Sequence, residues 1–113
     1  MKVETVNEAK RIADAFKSAN NAMMKHKNEP DNGSCNLDTV LIDFDGKRKP
    51  FIDLVSQESG FRLDKITSGF HKGLYFLFLD YQGQANVRYQ MVQTAKDHLK
   101  DLGIKASVWY QMD

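Results

Sequence analysis

One unbroken apolar run, Leu74–Leu79, constrains the fold of this chain more than any other stretch. The run is short, rich in aromatic side chains and bracketed by Gly73 and Gly83, which favours a strand over a buried helix. Successive strand side chains point to opposite faces of a sheet. A run that is apolar at every position therefore predicts a central strand that is covered on both faces.

Hydrophobic spacing predicts three helices around this strand. Apolar residues recur every three or four positions from about residue 6 to about residue 27, after a capping box that begins at Thr5. Pro50 and Gly60 bound a short helix over about residues 50–59. A third helix follows Asn86, which can serve as its N-cap, and Gly103 ends it. Its expected buried face contains Met91, Val92, Ala95, Leu99 and Leu102.

Two further strands are predicted, over residues 39–44 and 104–111. In the second, alternation places Trp109 on the face opposite Ile104. Residues 61–73 read as a loop or a weak edge strand. The expected fold is α+β, a two-layer α/β sandwich with a mixed sheet of three to four strands and helices packed mainly on one face. The strand order does not follow from the sequence.

Composition bounds the class of protein. The 113 residues predict one domain, residues 1–113. The net charge of +1, from 16 basic and 15 acidic side chains, argues against binding that depends on a strong overall positive field. The single cysteine excludes an internal disulfide framework and favours a reducing compartment. No signal peptide or membrane-spanning run is recognised, so we expect a cytoplasmic protein without a membrane partner.

The segment Val40–Gly46 carries the most suggestive short motif, a hydrophobic strand that ends in Asp43-Phe44-Asp45-Gly46. It is similar to the first motif of the haloacid-dehalogenase-like phosphatases. That resemblance implies Asp43 as a nucleophile, Asp45 as an acid/base and Mg²⁺ bound by both. It covers seven residues of the chain, Lys47 replaces a small residue of the family, and too little chain follows for the later motifs. A strand that ends in a polar turn is the preferred interpretation.

Other candidates for catalysis or metal binding are isolated in the sequence. Cys35 would act as a nucleophile only beside a base or a helix N-terminus, and a small buried hydrophobic side chain is the commoner role. The three histidines and Cys35 show no paired ligand spacing. The sequence therefore predicts no cofactor and no metal site.

Basic and aromatic residues give the remaining signal. Aromatic side chains on an open sheet, flanked by cations, are how many proteins stack single-stranded nucleic acid. A glycine turn before Arg88 also leads into a helix N-terminus, which favours an anion, although an ordinary strand-to-helix connection is the preferred interpretation. The predicted binding residues are Lys47, Arg48, Lys49, Lys72, Arg88 and Trp109. The alternatives are that Trp109 packs under a helix and that the basic run is ordinary solvated surface.

The sequence thus leaves three functions open. The leading prediction is a small cytoplasmic non-enzymatic binding protein, whose partner is either a protein or nucleic acid. This prediction includes self-association of the protein through an exposed apolar patch, such as one on the first helix. The first alternative is a single-stranded nucleic-acid-binding module, and the second is a small Mg²⁺-dependent hydrolase at Asp43 and Asp45.

Overall fold

The computed structural model describes residues 1–30, 37–83 and 85–110. Three helices and four strands form an α+β fold in which the helices pack on a sheet. In chain order the elements are α1 (Val3–Met23) followed by a short 3₁₀ turn (Met24–His26), β1 (Thr39–Ile42), α2 (Lys49–Ser59), β2 (Arg62–Lys65), β3 (Tyr75–Phe78), α3 (Ala85–Asp101) and β4 (Ala106–Trp109). The predicted fold class is confirmed.

The sheet has the order β2-β3-β1-β4, and every neighbouring pair is antiparallel. The prediction of a mixed sheet was therefore wrong in this detail. Each helix after α1 returns the chain to a strand that is not next to the previous one, so no parallel neighbours arise. The succession from β1 to β4 is the β-α-β-β-α-β arrangement of ferredoxin-like folds, with α1 added in front.

Helix α1 supplies the centre of the helix layer. It packs against both α2 and α3, and its buried Phe16 and Met23 join the core formed over the sheet. The helix begins at Val3 without a side-chain cap, and its first backbone hydrogen bond runs from the Val6 amide to the Lys2 carbonyl at 3.0 Å. The predicted capping box at Thr5 was wrong, since its residues lie inside the first turns. The apolar stripe of α1 is buried, so this helix does not offer the exposed patch that the sequence suggested.

The run at residues 74–79 does form an interior strand, but it is not covered on both faces. Leu77 is buried on the helix side, whereas Phe76 is half-buried and Phe78 is exposed on the other side. The strand that is buried at all four positions is its neighbour β1. The expectation of cover on both faces was wrong because aromatic residues occupy the outer face of β3, where none of the described helices packs.

The predicted ends of α2 agree with the structure, whereas the predicted N-cap of α3 does not. Pro50 lies in the first turn of α2, and Gly60 ends it with a left-handed φ of 80°. Asn86 lies inside α3, which begins at Ala85, so it is not the cap. Leu102 lies beyond the last turn of α3 and is exposed, contrary to its predicted burial. The ambiguous segment 61–73 contains the edge strand β2 and a turn that leads into β3.

Candidate functional site

The sheet face turned away from the helices, called the open face below, is built from alternate residues of all four strands. The strand register aligns its side chains in rows that run across the sheet from β4 to β2. One row is Trp109, Thr39, Phe78 and Arg62, and the next is Ser107, Leu41, Phe76 and Asp64. A third row continues the ladder beyond the strand ends with Lys105, Asp43, Leu74 and Ile66.

Three aromatic rings dominate the open face. The rings of Phe76 and Trp109 meet edge to face, with their centroids 5.6 Å apart. The rings of Phe76 and Phe78 are tilted, at 6.0 Å. Leu41, the direct neighbour of Phe76 across the β1–β3 ladder, is fully buried although no helix covers this face. The rings therefore give the outer face of β1 an apolar cover, and their own outer surfaces remain accessible.

Both cations of the open face are paired with carboxylates. The Arg62 Nε donates to the Asp64 carboxylate at 3.0 Å, and its guanidinium lies 5.1 Å from the centre of the Phe78 ring. Lys105 reaches the Asp45 carboxylate at 2.6 Å. These hydrogen bonds raise the pKa of Arg62 and the pKa of Lys105. The face therefore combines exposed aromatic area with little net charge.

The predicted basic residues do not gather around Trp109. Trp109 pairs with Thr39 at the start of β1, whereas Lys47, Arg48 and Lys49 follow the other end of that strand. Lys72 lies near Lys47 at the same far end. Lys49 binds Asp53 at 2.8 Å, and this hydrogen bond raises the pKa of Lys49. The expected convergence of cations and tryptophan fails because β1 separates them along its length.

Arg88 is the predicted cation that does lie at the Trp109 end of β1, and its contacts are structural. Its Nε donates to the Asp38 carbonyl at 2.9 Å, and its guanidinium carbon lies 4.7 Å from the centre of the Tyr81 ring. The Tyr81 hydroxyl donates to the Leu77 carbonyl at 2.7 Å and accepts from the Val40 amide at 3.1 Å. Burial raises the pKa of Tyr81. Arg88 and Tyr81 thus join α3 to the interior strands β1 and β3.

Asp43 and Asp45, the weak candidates for catalysis, form a turn after β1. The Asp45 amide donates to Asp43 Oδ1 at 2.8 Å, and Asp45 adopts a left-handed φ of 55°. Asp45 is also the partner of Lys105. Within residues 1–30, 37–83 and 85–110, no three histidine, cysteine, aspartate or glutamate side chains are placed to hold a metal ion. Cys35, the other weak candidate, lies outside the described residues.

Two of the histidines link helices instead of forming a catalytic group. His26 bonds to Glu29 through Nδ1 and to Thr94 through Nε2, the latter at 2.9 Å. The His98 Nε2 lies 2.7 Å from the Ser18 hydroxyl. The His26–Thr94 and Ser18–His98 contacts connect the α1 region to α3. A single sequence carries no signal for either contact, because the two partners are distant along the chain.

Sequence reasoning missed most of the open face. The prediction that Trp109 lies opposite Ile104 is confirmed by the β4 register. Phe76, Phe78 and Arg62 were not predicted as residues of this face. For Phe76 and Phe78 a signal was available, because alternate side chains of a strand share one face. Tyr75 lies on the other face of β3, where its ring contacts Phe44 in the helix-covered layer, with ring centroids 5.3 Å apart.

Comparison of the chain with protein-family models, curated proteins and solved structures gives no match. In the described part of the chain, no helix has the length and apolarity that a membrane span requires.

Proposed function

We propose that this chain is a non-enzymatic binding protein whose working surface is the open face, and that a second copy of the chain occupies it. The observation that carries the proposal is the accessible aromatic cluster of Phe76, Phe78 and Trp109 over the buried Leu41. Contiguous exposed apolar surface with a polar rim is typical of interaction sites. Aromatic residues and arginine are also enriched in protein interfaces.

The charge pattern supports a protein partner. Arg62 is paired with Asp64 and Lys105 with Asp45, so little positive field remains on this face to attract a phosphate backbone. An interface core favours few unpaired charges and large rigid rings. A polypeptide surface of similar composition therefore fits the open face better than a polyanion.

A second copy supplies such a surface. In a two-fold dimer each patch meets the same patch of the other copy, and packed sheets keep their strands nearly aligned. With the two-fold axis parallel to the strands, the β2 edge of one copy faces the β4 edge of the other. Arg62 of one copy then lies opposite Trp109 of the other, and Asp64 opposite Ser107. These pairings place a cation over an aromatic ring and a hydroxyl beside a carboxylate, and they oppose no like charges.

The size of the face sets the expected strength. Four strands about 4.8 Å apart, with three residues each, give a face of about 20 by 20 Å. A dimer would bury about 800 Å² in total, which is below the usual range for stable interfaces. We therefore expect a weak dimer, with a dissociation constant on the order of 100 μM, and not an obligate one.

Sedimentation velocity over a range of concentrations tests the proposal. The wild-type chain should shift from monomer to dimer between micromolar and millimolar concentration. Phe78→Glu should abolish the shift, because it places a charge in the interface. The monomer should still fold, because Arg62 lies beside residue 78 and can pair with the new carboxylate. Phe70→Glu is the matched control, since Phe70 is 98% exposed in the turn after β2. A chain that stays monomeric at millimolar concentration contradicts the proposal.

Single-stranded nucleic acid is the second candidate, favoured by one observation. Rings on β3 and β4, on either side of β1, lie on the face of the four-stranded sheet turned away from the described helices, and bases stack on surfaces of this kind. Trp109, the only tryptophan of the chain, reports on this directly. If bases stack there, oligothymidylate will quench its fluorescence at low salt, and the effect will weaken as salt rises. An unchanged signal would exclude this candidate.

A cytoplasmic location remains an expectation from the sequence.

A further inference from the structure

The far end of the sheet from Trp109 contains a second feature that the open face does not explain. An open cavity of about 380 Å³ lies between the turn after β1 and the turn that joins β2 to β3. Volumes of this order suit small-molecule ligands. Its lining includes Lys47, Lys65, Lys72, Asp43 and the ring of Tyr75. Three lysines and one aspartate give this lining an excess of two positive charges.

Several polar groups of this cavity have no partner. Within the described residues, neither the Lys65 nor the Lys72 ammonium takes part in an ion pair or a side-chain hydrogen bond, and the Tyr75 hydroxyl makes no hydrogen bond. Lys47 is partly engaged, since its Nζ lies 3.4 Å from Glu8 Oε2 and 5.2 Å from the centre of the Phe51 ring. The one acidic residue of the lining is partly engaged, since Asp43 Oδ1 accepts the Asp45 amide. Cationic donors thus outnumber the acceptors that could neutralise them.

We infer that this cavity binds a small organic phosphate, a ligand with a compact multiply charged group and an apolar part. Lysine binds phosphate as a mobile point charge and does not require the planar geometry of arginine. Lys47 and Lys72 approach from the two turns and Lys65 from the end of β2, and together they match a dianion or trianion. The hydroxyl of Tyr75 donates a further hydrogen bond. Leu74 and Phe44, which also line the cavity, contact the apolar part.

The cavity shares Asp43 and Leu74 with the third row of the open face, but its three lysines belong to none of the rows. The strand register separates the Trp109 row from the row of Asp43 by four positions along β1, about 13 Å. The Phe78→Glu variant, which tests the dimer, leaves the cavity lining intact. Failure of one proposal therefore leaves the other standing.

Isothermal titration with sodium pyrophosphate, without divalent metal and at low ionic strength, tests the inference. The wild-type chain should bind about one equivalent, and affinity should fall as sodium chloride is added. The double variant Lys65→Gln/Lys72→Gln should weaken binding at least about tenfold through loss of two charge-assisted contacts. The double variant Lys17→Gln/Lys25→Gln removes the same charge from exposed positions of the α1 region and should bind like the wild type. Tyr75→Phe should weaken binding about threefold or more.

Amide chemical shifts locate the ligand without relying on variants. Pyrophosphate should shift the amide resonances of Gly46 and Gly73, which lie in the two turns at the cavity. No binding at millimolar pyrophosphate would overturn the inference. Equal losses in the two double variants would also overturn it, because they would indicate a general charge effect. Binding of oligothymidylate but not of pyrophosphate would reassign the lysines to nucleic acid and would equally overturn it.

Discussion

Asn20 in α1 and Asp80 after β3 are joined by two hydrogen bonds. The Asp80 amide donates to Asn20 Oδ1 at 2.9 Å, and Asn20 Nδ2 donates to the Asp80 carboxylate at 3.0 Å. Asn20 is buried, so its amide is a polar group that depends on this partner. The pair fixes the position of α1 relative to the interior strand that leads into α3.

Replacing Asn20 by alanine should lower the free energy of unfolding by about 2 kcal/mol. The change removes both hydrogen bonds and leaves the Asp80 amide without its acceptor in a partly buried place. Urea denaturation at pH 7 measures the loss. Asn21→Ala is the matched control, because Asn21 is the exposed next residue of the same helix, and we expect a change within about 0.5 kcal/mol. Equal losses for both variants would contradict the assigned role.

Leu41→Ala should be among the most destabilising changes on the open face. Leu41 is fully buried, so truncation leaves a cavity beneath the aromatic rings and should cost about 2–4 kcal/mol. Leu102→Ala removes the same atoms from a side chain that is 44% exposed and should cost less than about 1 kcal/mol. Thermal or urea unfolding compares the two. A small loss at Leu41 would mean that the rings collapse readily into the space.

Tyr81 should make stability fall at alkaline pH. Burial raises the pKa of Tyr81, so above pH 10, its ordinary value, the unfolded chain loses this proton while the folded chain retains it. Stability contributed by this group is complete below about pH 10 and then falls by about 1.4 kcal/mol per pH unit. Urea unfolding between pH 8 and pH 11 should reveal this slope.

The Tyr81→Phe variant separates this effect from general alkaline unfolding. It should be less stable at pH 7 by about 1–2 kcal/mol, because the Leu77 carbonyl and the Val40 amide lose their side-chain partner. It should also have a shallower alkaline slope than the wild type. Tyr110→Phe, at an exposed position, should leave the slope unchanged. A slope that is the same in all three proteins would assign the alkaline effect to other groups.

Gly60 should tolerate asparagine better than alanine. It ends α2 with φ at 80°, a conformation that costs a residue with a Cβ about 1 kcal/mol and that asparagine adopts more readily than most. No heavy atom lies within 4 Å of the position that a Cβ would occupy, so the backbone alone decides the cost. Denaturant midpoints of Gly60→Ala and Gly60→Asn test this order. Equal stability of wild type and Gly60→Ala would contradict it.

Local signals predicted the elements well, and long-range signals were absent. Pro50 and Gly60 bound a helix because their backbone preferences act on the nearest turn. Trp109 was assigned to the correct face because alternation along one strand is also local. By contrast, nothing in the sequence pairs Thr39 with Trp109 or shows that β1 separates Trp109 from Lys47.

The candidate sites were predictable only in part for the same reason. Lys47 and Lys72 were recognised as basic turn residues, but the cavity also needs Lys65, which lies in an edge strand that read as ambiguous. The two-sided cover expected for residues 74–79 failed because a hydrophobic run does not say which of its faces another layer reaches. Phe76 and Phe78 are apolar and still form the outer surface, because α2 and α3 contact the strands from the opposite face.

The position of α1 also has a consequence during synthesis. This helix leaves the ribosome before any strand of the sheet that buries it, and its anchor at Asn20 waits for Asp80, 60 residues later. Until then Phe16 and Met23 lie on an unshielded apolar stripe, where a chaperone or a neighbouring nascent chain can reach them. Docking of α1 therefore requires the closure of a long loop, and slow translation before residue 80 would prolong the interval in which Phe16 and Met23 are exposed to aggregation.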